Sequence, residues 1–249
     1  MKKTPVSRDM FFENTDLTPQ KAAALVVAGL EGADYGEFYQ EIAESESLMK
    51  TKGKYARVSL GNKTTGFGFR VGQKERVGYS FSDIFNEVAL KNSIKHAREV
   101  LTENKTPAAQ KIAPAQTAAA KTLYPQKNVI ESMTLAEKIA KIDAIEAFAK
   151  GLNPDIINVS VSYRAETNSI HIITAEGESL VDTRPLVSLY VDITLKDASG
   201  NIETGMALRG GPMDLDELFK KETYESAVNA ALFQAKELLR AKPAPAGVM

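Results

Sequence analysis

Two periods of apolar residues take turns along this chain. Near the N-terminus Ala22, Leu25, Val26 and Leu30 recur at helical spacing. Thr18 is placed to cap that helix, Pro19 suits its first position and Gly32 its end. The period then shortens to two, predicting strands at about 36–49, 54–61, 64–72 and 75–81. Lys52-Gly53-Lys54, Gly61-Asn62-Lys63 and Gly72-Gln73-Lys74 read as the hairpin turns between them. Helical spacing returns at Ile84, Val88, Ile94, Ala97 and Leu101.

The second half repeats this layout. Thr134-Leu135-Ala136-Glu137 is a capping box, in which hydroxyl and carboxylate each satisfy an orphan backbone donor. Leu135, Ile139, Ile142 and Ala149 continue the helix on one face. Strands are expected at about 156–165, 168–175, 179–182, 186–196 and 201–208, with turns at Asn168 and Asp197–Asn201. A short helix over about 214–221 would carry Asp214, Asp216 and Glu217 in its first turn. Thr223 is the expected cap of a last helix with the stripe Tyr224, Val228, Ala231, Ala235 and Leu238. Hairpin-linked strands closed by helices predict an α+β fold with antiparallel sheets, in two successive domains. A parallel sheet would need helical crossovers between the strands.

Between the halves, 103–122 is rich in Ala, Lys, Thr, Gln and Pro and reads as a linker. The expected organisation is thus a first domain over 1–102, a linker over 103–122, a second domain over 123–240 and a connector over 241–249. That connector, Ala241-Lys242-Pro243-Ala244-Pro245-Ala246-Gly247, reads as extended chain leading to a further domain.

Composition narrows the chemistry. The 249 residues carry 31 basic and 32 acidic side chains, a formal net charge of −1. No long-range field gathers nucleic acid or an anionic membrane. The chain has no cysteine, which excludes disulfides, thiolate metal sites and a cysteine nucleophile within it. The first apolar run, Ala22 to Leu30, is too short to span a bilayer.

Candidate chemistry is sparse. His96 and His171 are the two histidines, and no second histidine stands one helical turn or two strand positions from either. A catalytic zinc needs three protein ligands, so both read as structural. No Gly-x-Ser-x-Gly elbow occurs. Gly66-Phe67-Gly68-Phe69-Arg70-Val71-Gly72 is not a dinucleotide fingerprint, because strands flank it on both sides. It partly resembles an RNA-stacking strand; the simpler reading has Phe67 and Phe69 facing a core and the glycines facing out. Glu41, Glu44 and Glu46 read as a solvated strand face. Asp182 and Arg184, before Pro185, read as an ion pair fixing a strand junction. Gly205 and Gly210-Gly211 read as a closely approached loop that could border a substrate passage.

Five segments carry a family likeness: Gly32-Ala33-Asp34-Tyr35-Gly36-Glu37-Phe38-Tyr39, Gly66 to Val71, Gly78-Tyr79-Ser80, Asp182-Thr183-Arg184-Pro185-Leu186-Val187, and the Pro-Ala-Pro ending. In this order and spacing they resemble the TldD/PmbA family, and its TldD branch in particular. The resemblance implies a cytoplasmic zinc metallopeptidase, working as a TldD–TldE type dimer on unfolded or extended peptides inside a closed chamber. Its metal site is a His-Glu-x-x-x-His motif beyond the Pro-Ala-Pro-Ala-Gly connector. No such motif stands in these residues, so no catalytic or metal-binding residue is carried over. The implied role is the non-catalytic front part of the enzyme, supplying chamber wall, substrate access and dimer contacts. Arg70, Asp182, Arg184, Gly210 and Gly211 are the candidates for the wall or substrate path. Two other readings stay open: a stand-alone binding or regulatory module pairing with a full-length TldD or TldE relative, and an RNA platform on the Phe67/Phe69 strand.

Overall fold

A computed structural model describes residues 8–101, 128–175, 177–242 and 247. The expected linker and most of the connector lie outside the described residues. A 3-10 turn (Arg8–Phe12) precedes α1 (Pro19–Leu30), β1 (Tyr35–Thr51), β2 (Lys54–Gln73), β3 (Arg76–Ser82) and α2 (Glu87–Arg98). There follow a short 3-10 turn (Ile130–Ser132), α3 (Leu135–Gly151), β4 (Ile156–Thr174), β5 (Ser179–Lys196), β6 (Ile202–Gly211), α4 (Leu215–Leu218) and α5 (Lys221–Arg240). The strands form one antiparallel sheet in the order β3-β2-β1-β4-β5-β6. The fold is α+β, as the hairpin pattern implies.

The described residues fall into two compact units. The first is bounded as Met1–Glu44, Lys63–Asn128 and Thr167–Arg184, the second as Ser45–Asn62, Val129–Glu166 and Pro185–Met249. Each unit therefore takes one half of each of the four long strands β1, β2, β4 and β5. The first unit adds β3, α1 and α2; the second adds β6, α3, α4 and α5.

Local signals set most element ends. Thr18 Oγ1 accepts the Lys21 amide, 3.2 Å away, and Pro19 opens α1. Thr134 and Glu137 form the full capping box of α3. Lys52 and Gly53 both have positive φ, +49° and +72°, as the tight turn between β1 and β2 requires. Asp197 accepts the Asn201 amide at 2.8 Å and Gly200 sits at φ +91°, closing the β5–β6 hairpin.

Three expected breaks are absent. Gly61-Asn62-Lys63 does not reverse the chain: Gly61 takes φ +67° and β2 runs on for 20 residues. That half of β2 lacks a partner on one side, since β3 pairs only with Phe67–Gln73, so a local distortion breaks few bonds. Asn168 is not a turn either, because β4 continues through it between β1 and β5. Pro185 lies within β5 and does not separate two strands. Pairing with β6 begins at Val187, so the missing N–H of Pro185 costs no bond to β6.

Helix edges also differ from the pattern. Ile84 and Val88 are exposed, while α2 buries the expected Ala97 together with Leu90 and Ser93. The acidic short helix shrinks to Leu215–Leu218. Its chain bonds with α5, which starts at Lys221, so Thr223 sits inside α5 and its hydroxyl donates to the Glu217 carbonyl at 3.1 Å.

In each unit an edge strand meets a helix through a glycine. In the first, a Cβ on Gly78 of β3 would lie 1.9 Å from the Ala97 carbonyl oxygen of α2. In the second, a Cβ on Gly205 of β6 would lie 2.1 Å from the Ala231 carbonyl oxygen of α5. The first core gathers Phe38, Phe67, Phe69, Val71 and Leu90; the second gathers Val, Ile, Leu and Ala side chains around Tyr163.

Candidate functional site

The strand faces turned away from the helices carry the concave surfaces. In the first unit, Phe67, Phe69 and Val71 of β2 point into the core, so Gly66, Gly68 and Arg70 point outward. The alternation leaves β2 without side chains of its own on this face at Gly66 and Gly68. β1 raises Tyr39 and Glu41 along one side, and β3 raises Tyr79 and Phe81 along the other, enclosing about 700 Å³. Phe81 is the register partner of Gly68 and Tyr79 that of Arg70. The Tyr79 ring leans over Gly68, where a Cβ would meet its hydroxyl at 2.6 Å. The Tyr79 and Phe81 rings stack with centroids 6.0 Å apart.

The groove's electrostatics centre on Glu41. The Tyr39 hydroxyl donates to its carboxylate at 2.9 Å. Burial, then that hydrogen bond and the carboxylate's charge, push the Tyr39 phenol up to about 12, while Arg184 pulls the other way. The phenol therefore stays protonated at neutral pH and acts as donor.

The second unit has its own groove on the same kind of face. Arg164 and Glu166 of β4, Leu186, Ser188 and Tyr190 of β5, and Leu208 and Gly210 of β6 enclose about 600 Å³. Gly210 pairs with Ser188, and a Cβ there would lie 2.3 Å from the Val187 carbonyl oxygen. Gly211 takes φ +151°, a value that side chains disfavour.

These positions place the sequence candidates. Arg70 bonds Glu37 at 2.9 Å on the outer face of the first unit. Arg184 Nε donates to Asp182 at 2.8 Å within β5, the ion pair the sequence suggests. Gly210 and Gly211 line the second unit's groove. The structure thus joins Asp182 to Arg184 and Gly210 to Gly211, and pairs Arg70 with Glu37. Tyr39, Glu41, Tyr79 and Phe81 were not among the candidates. Their signal was present: Val77, Tyr79 and Phe81 alternate with Gly78, Ser80 and Ser82, so the large residues of β3 must face out if Gly78 faces a helix.

Three acidic residues read from sequence as one solvated face separate completely. Glu41 borders the groove. Glu44 pairs with Lys63 at 3.4 Å. Glu46 is buried and bonds both Lys138 at 2.5 Å and the Tyr163 hydroxyl at 2.7 Å. The reason is tertiary: α3 covers this half of β1 and brings the lysine. Beside it Lys50 bonds Asp143 at 2.6 Å and Glu146 at 2.7 Å, and the Tyr55 hydroxyl donates to Asp143 at 3.0 Å. The hydrogen bonds of Asp143 and then Glu146 raise the Lys50 ammonium above its usual range. These groups are engaged with one another, with Glu146 buried and Asp143 at the surface, which suits packing more than chemistry.

The two histidines were tested as metal ligands. His96 is exposed on α2. His171 is 1% exposed, its Nε2 is 3.0 Å from Ser179 Oγ, and its ring packs against Phe11, Phe12 and Phe38. Burial, with a smaller effect from Arg8, lowers its pKa to about 4. Among the described residues no group of three or more His, Asp or Glu side chains is arranged to hold a metal ion. The described residues therefore do not fit a catalytic zinc. Phe67 and Phe69, which an RNA platform would need on its surface, are 3% and 0% exposed. Among the described residues no helix is long and apolar enough to cross a membrane.

Comparison with known proteins gives a consistent family. The PmbA/TldA metallopeptidase central domain matches residues 128–239. A Metalloprotease TldD homolog of Haemophilus influenzae is 26% identical, covering 95% of this chain and 50% of that protein. The Metalloprotease TldD homolog of Buchnera aphidicola subsp. Schizaphis graminum is 25% identical over 66% of this chain and 33% of its own length. This chain thus spans about half or less of the curated relatives it matches. Among solved structures, a proposed modulator of a DNA gyrase from Thermotoga maritima superposes with a TM-score of 0.65 at 14% identity, over 91% of this chain and 49% of that one. TldE from Thermococcus kodakarensis gives a TM-score of 0.53 at 13% identity, over 79% and 44%. Residues 128–239 thus carry the central domain of the PmbA/TldD family, in a chain similar to a TldD homolog along nearly all of its length and to TldE in fold.

Proposed function

We propose that this chain is the non-catalytic part of a TldD-type zinc metallopeptidase that hydrolyses unfolded or extended peptides. Its outer strand faces wall the chamber and guide substrate, and its surface contributes contacts to a TldD-like or TldE-like dimer partner. The zinc and its ligands belong to a domain other than the two units described here. The domain reading from sequence is kept within this proposal: a first domain over 1–102 and a central one over 123–240, in a cytoplasmic enzyme.

One observation carries the reading. The curated relatives are named as metalloproteases, and the one from Haemophilus influenzae aligns along 95% of this chain, while both of its histidines are committed elsewhere, one to solvent and one to an aromatic core. The grooves of the two units and the paired residues Arg70, Asp182 and Arg184 are the surfaces on which substrate would travel. The reaction of the intact enzyme would be attack by metal-activated water on a peptide bond. No step of it is assigned to a side chain of this chain.

The test combines metal content with reconstitution. The purified chain should hold no stoichiometric zinc and should not cleave an unfolded peptide. Mixed with a TldD-family protein, it should co-elute as a defined complex. Chelator-sensitive cleavage by the chain alone would overturn the proposal. Co-elution with no effect on the partner's cleavage would favour the stand-alone regulatory module.

A further inference from the structure

The outer groove of the first unit has a chemistry beyond that of a passive wall. Its rings, Tyr39, Tyr79 and Phe81, stand on both sides of a glycine floor. Tyr79 and Phe81 are large residues left 63% and 74% exposed, so they hold aromatic faces available to a ligand. Two carboxylates, Glu41 and Asp83, also line it, and no lysine or arginine does. Neither carboxylate bonds a base among the described residues; Glu41 accepts only the Tyr39 hydroxyl. Arg70 and Arg184 belong to the same unit but are each held by an acid of their own, Glu37 at 2.9 Å and Asp182 at 2.8 Å.

Aromatic faces beside a carboxylate attract an organic cation twice, through the ring quadrupole and through the charge. Guanidinium suits both, since it is flat enough to stack and forked enough to bond a carboxylate. The occupant must also be extended. At Gly66 an added Cβ would meet only the Ser82 carbonyl oxygen, at 3.5 Å, so a backbone can approach β2 there, and about 700 Å³ exceeds what a single side chain fills, leaving room for its flanking residues.

We propose that the groove bordered by Tyr39, Glu41, Tyr79, Phe81 and Asp83 binds the arginine or lysine side chain of an extended peptide. This deepens the substrate-path reading above and rests on it. Tyr79 and Phe81 supply the stacking faces. Glu41, oriented by the Tyr39 hydroxyl, supplies the hydrogen-bond acceptor, and Asp83 adds charge at the rim. The result is a preference for basic over neutral or acidic segments, set away from any metal centre.

The experiment is an NMR titration of the 15N-labelled 249-residue chain with acetyl-Gly-Arg-Gly-amide and with the same peptide carrying citrulline. Citrulline keeps the shape and removes the charge. The arginine peptide should shift the amides of Tyr79, Phe81 and Glu41 and bind about tenfold more tightly, the size of one cation–π contact with one charge-assisted hydrogen bond. Glu41→Gln and Tyr79→Ala should each remove most of that preference, and Tyr79→Phe should retain it. Equal binding of both peptides at these strands overturns the cation preference and leaves the substrate path standing. No shift here with either peptide overturns the inference and takes this groove off the path, while the reconstitution test still judges the wider role.

Discussion

The first unit is packed around rings. Phe38, Phe67 and Phe85 meet at centroid distances of 5.4 to 5.8 Å, and the buried base against Phe38, Phe11 and Phe12, His171, is held neutral. The second unit is packed around branched aliphatics, yet it closes over charges: Glu46 with Lys138, and Lys50 with Glu146 and Asp143. The contrast shows two ways to bury polarity beneath one sheet. An aromatic pocket suppresses ionisation, whereas an aliphatic one accepts ionised groups only as matched sets. The two units should therefore fail differently when acid is added or a partner is deleted.

The largest effect is expected from unmatching a buried pair. Lys138→Met leaves Glu46 charged and enclosed, and should cost about 3–5 kcal/mol in urea unfolding. Adding Glu46→Leu should recover most of that loss. A double variant no better than the single one would show that Lys138 acts through packing alone.

Acid should act on the first unit through His171. The folded chain refuses a proton there until about pH 4, whereas an unfolded histidine takes one near its ordinary value of 6.5. As pH falls from 6.5 towards 4, the unfolded state binds more protons and stability drops, by roughly 3 kcal/mol from this group. Above pH 6.5 the group contributes no slope. His171→Leu should flatten the stability–pH curve in that window, as read by thermal melts; an unchanged curve would place the acid sensitivity elsewhere.

A smaller, symmetric effect tests the glycine contacts. Gly78→Ala should part β3 from α2, and Gly205→Ala should part β6 from α5, each at about 1–3 kcal/mol. Hydrogen exchange would check that each change loosens only its own unit. The smallest difference concerns helix starts. Thr134→Ala breaks a reciprocal box and should cost about 1 kcal/mol, while Thr18→Ala loses a one-way cap and should cost about half as much. Melting temperatures of the two variants give the order directly.

Much of this architecture is legible in the residues. Thr18-Pro19 and Thr134-x-x-Glu137 start helices where the pattern says, and Lys52-Gly53 turns a hairpin where it must. The inward rings Phe67 and Phe69 follow from alternation with Gly66 and Gly68. The candidate site was less legible. Arg184 and Asp182 are near neighbours, so their pairing could be read. Glu46 could not be distinguished from Glu41 and Glu44, because its partner Lys138 comes from a distant helix. The outward rings of β3 needed the knowledge that α2 presses on Gly78.

By itself, then, the sequence determined the features that hydrogen bonds within a few residues can enforce: helix caps, tight turns, strand periodicity and the antiparallel α+β class. The tertiary structure alone decided that Gly61, Asn168 and Pro185 are passed through by continuous strands, that Glu46 is buried while Glu41 borders a groove, and which face of β3 is left open. The reason is that a turn signal is weighed against cross-strand pairing, and a charge against its partner. Both counterweights lie far away along the chain and become neighbours only when the sheet has formed.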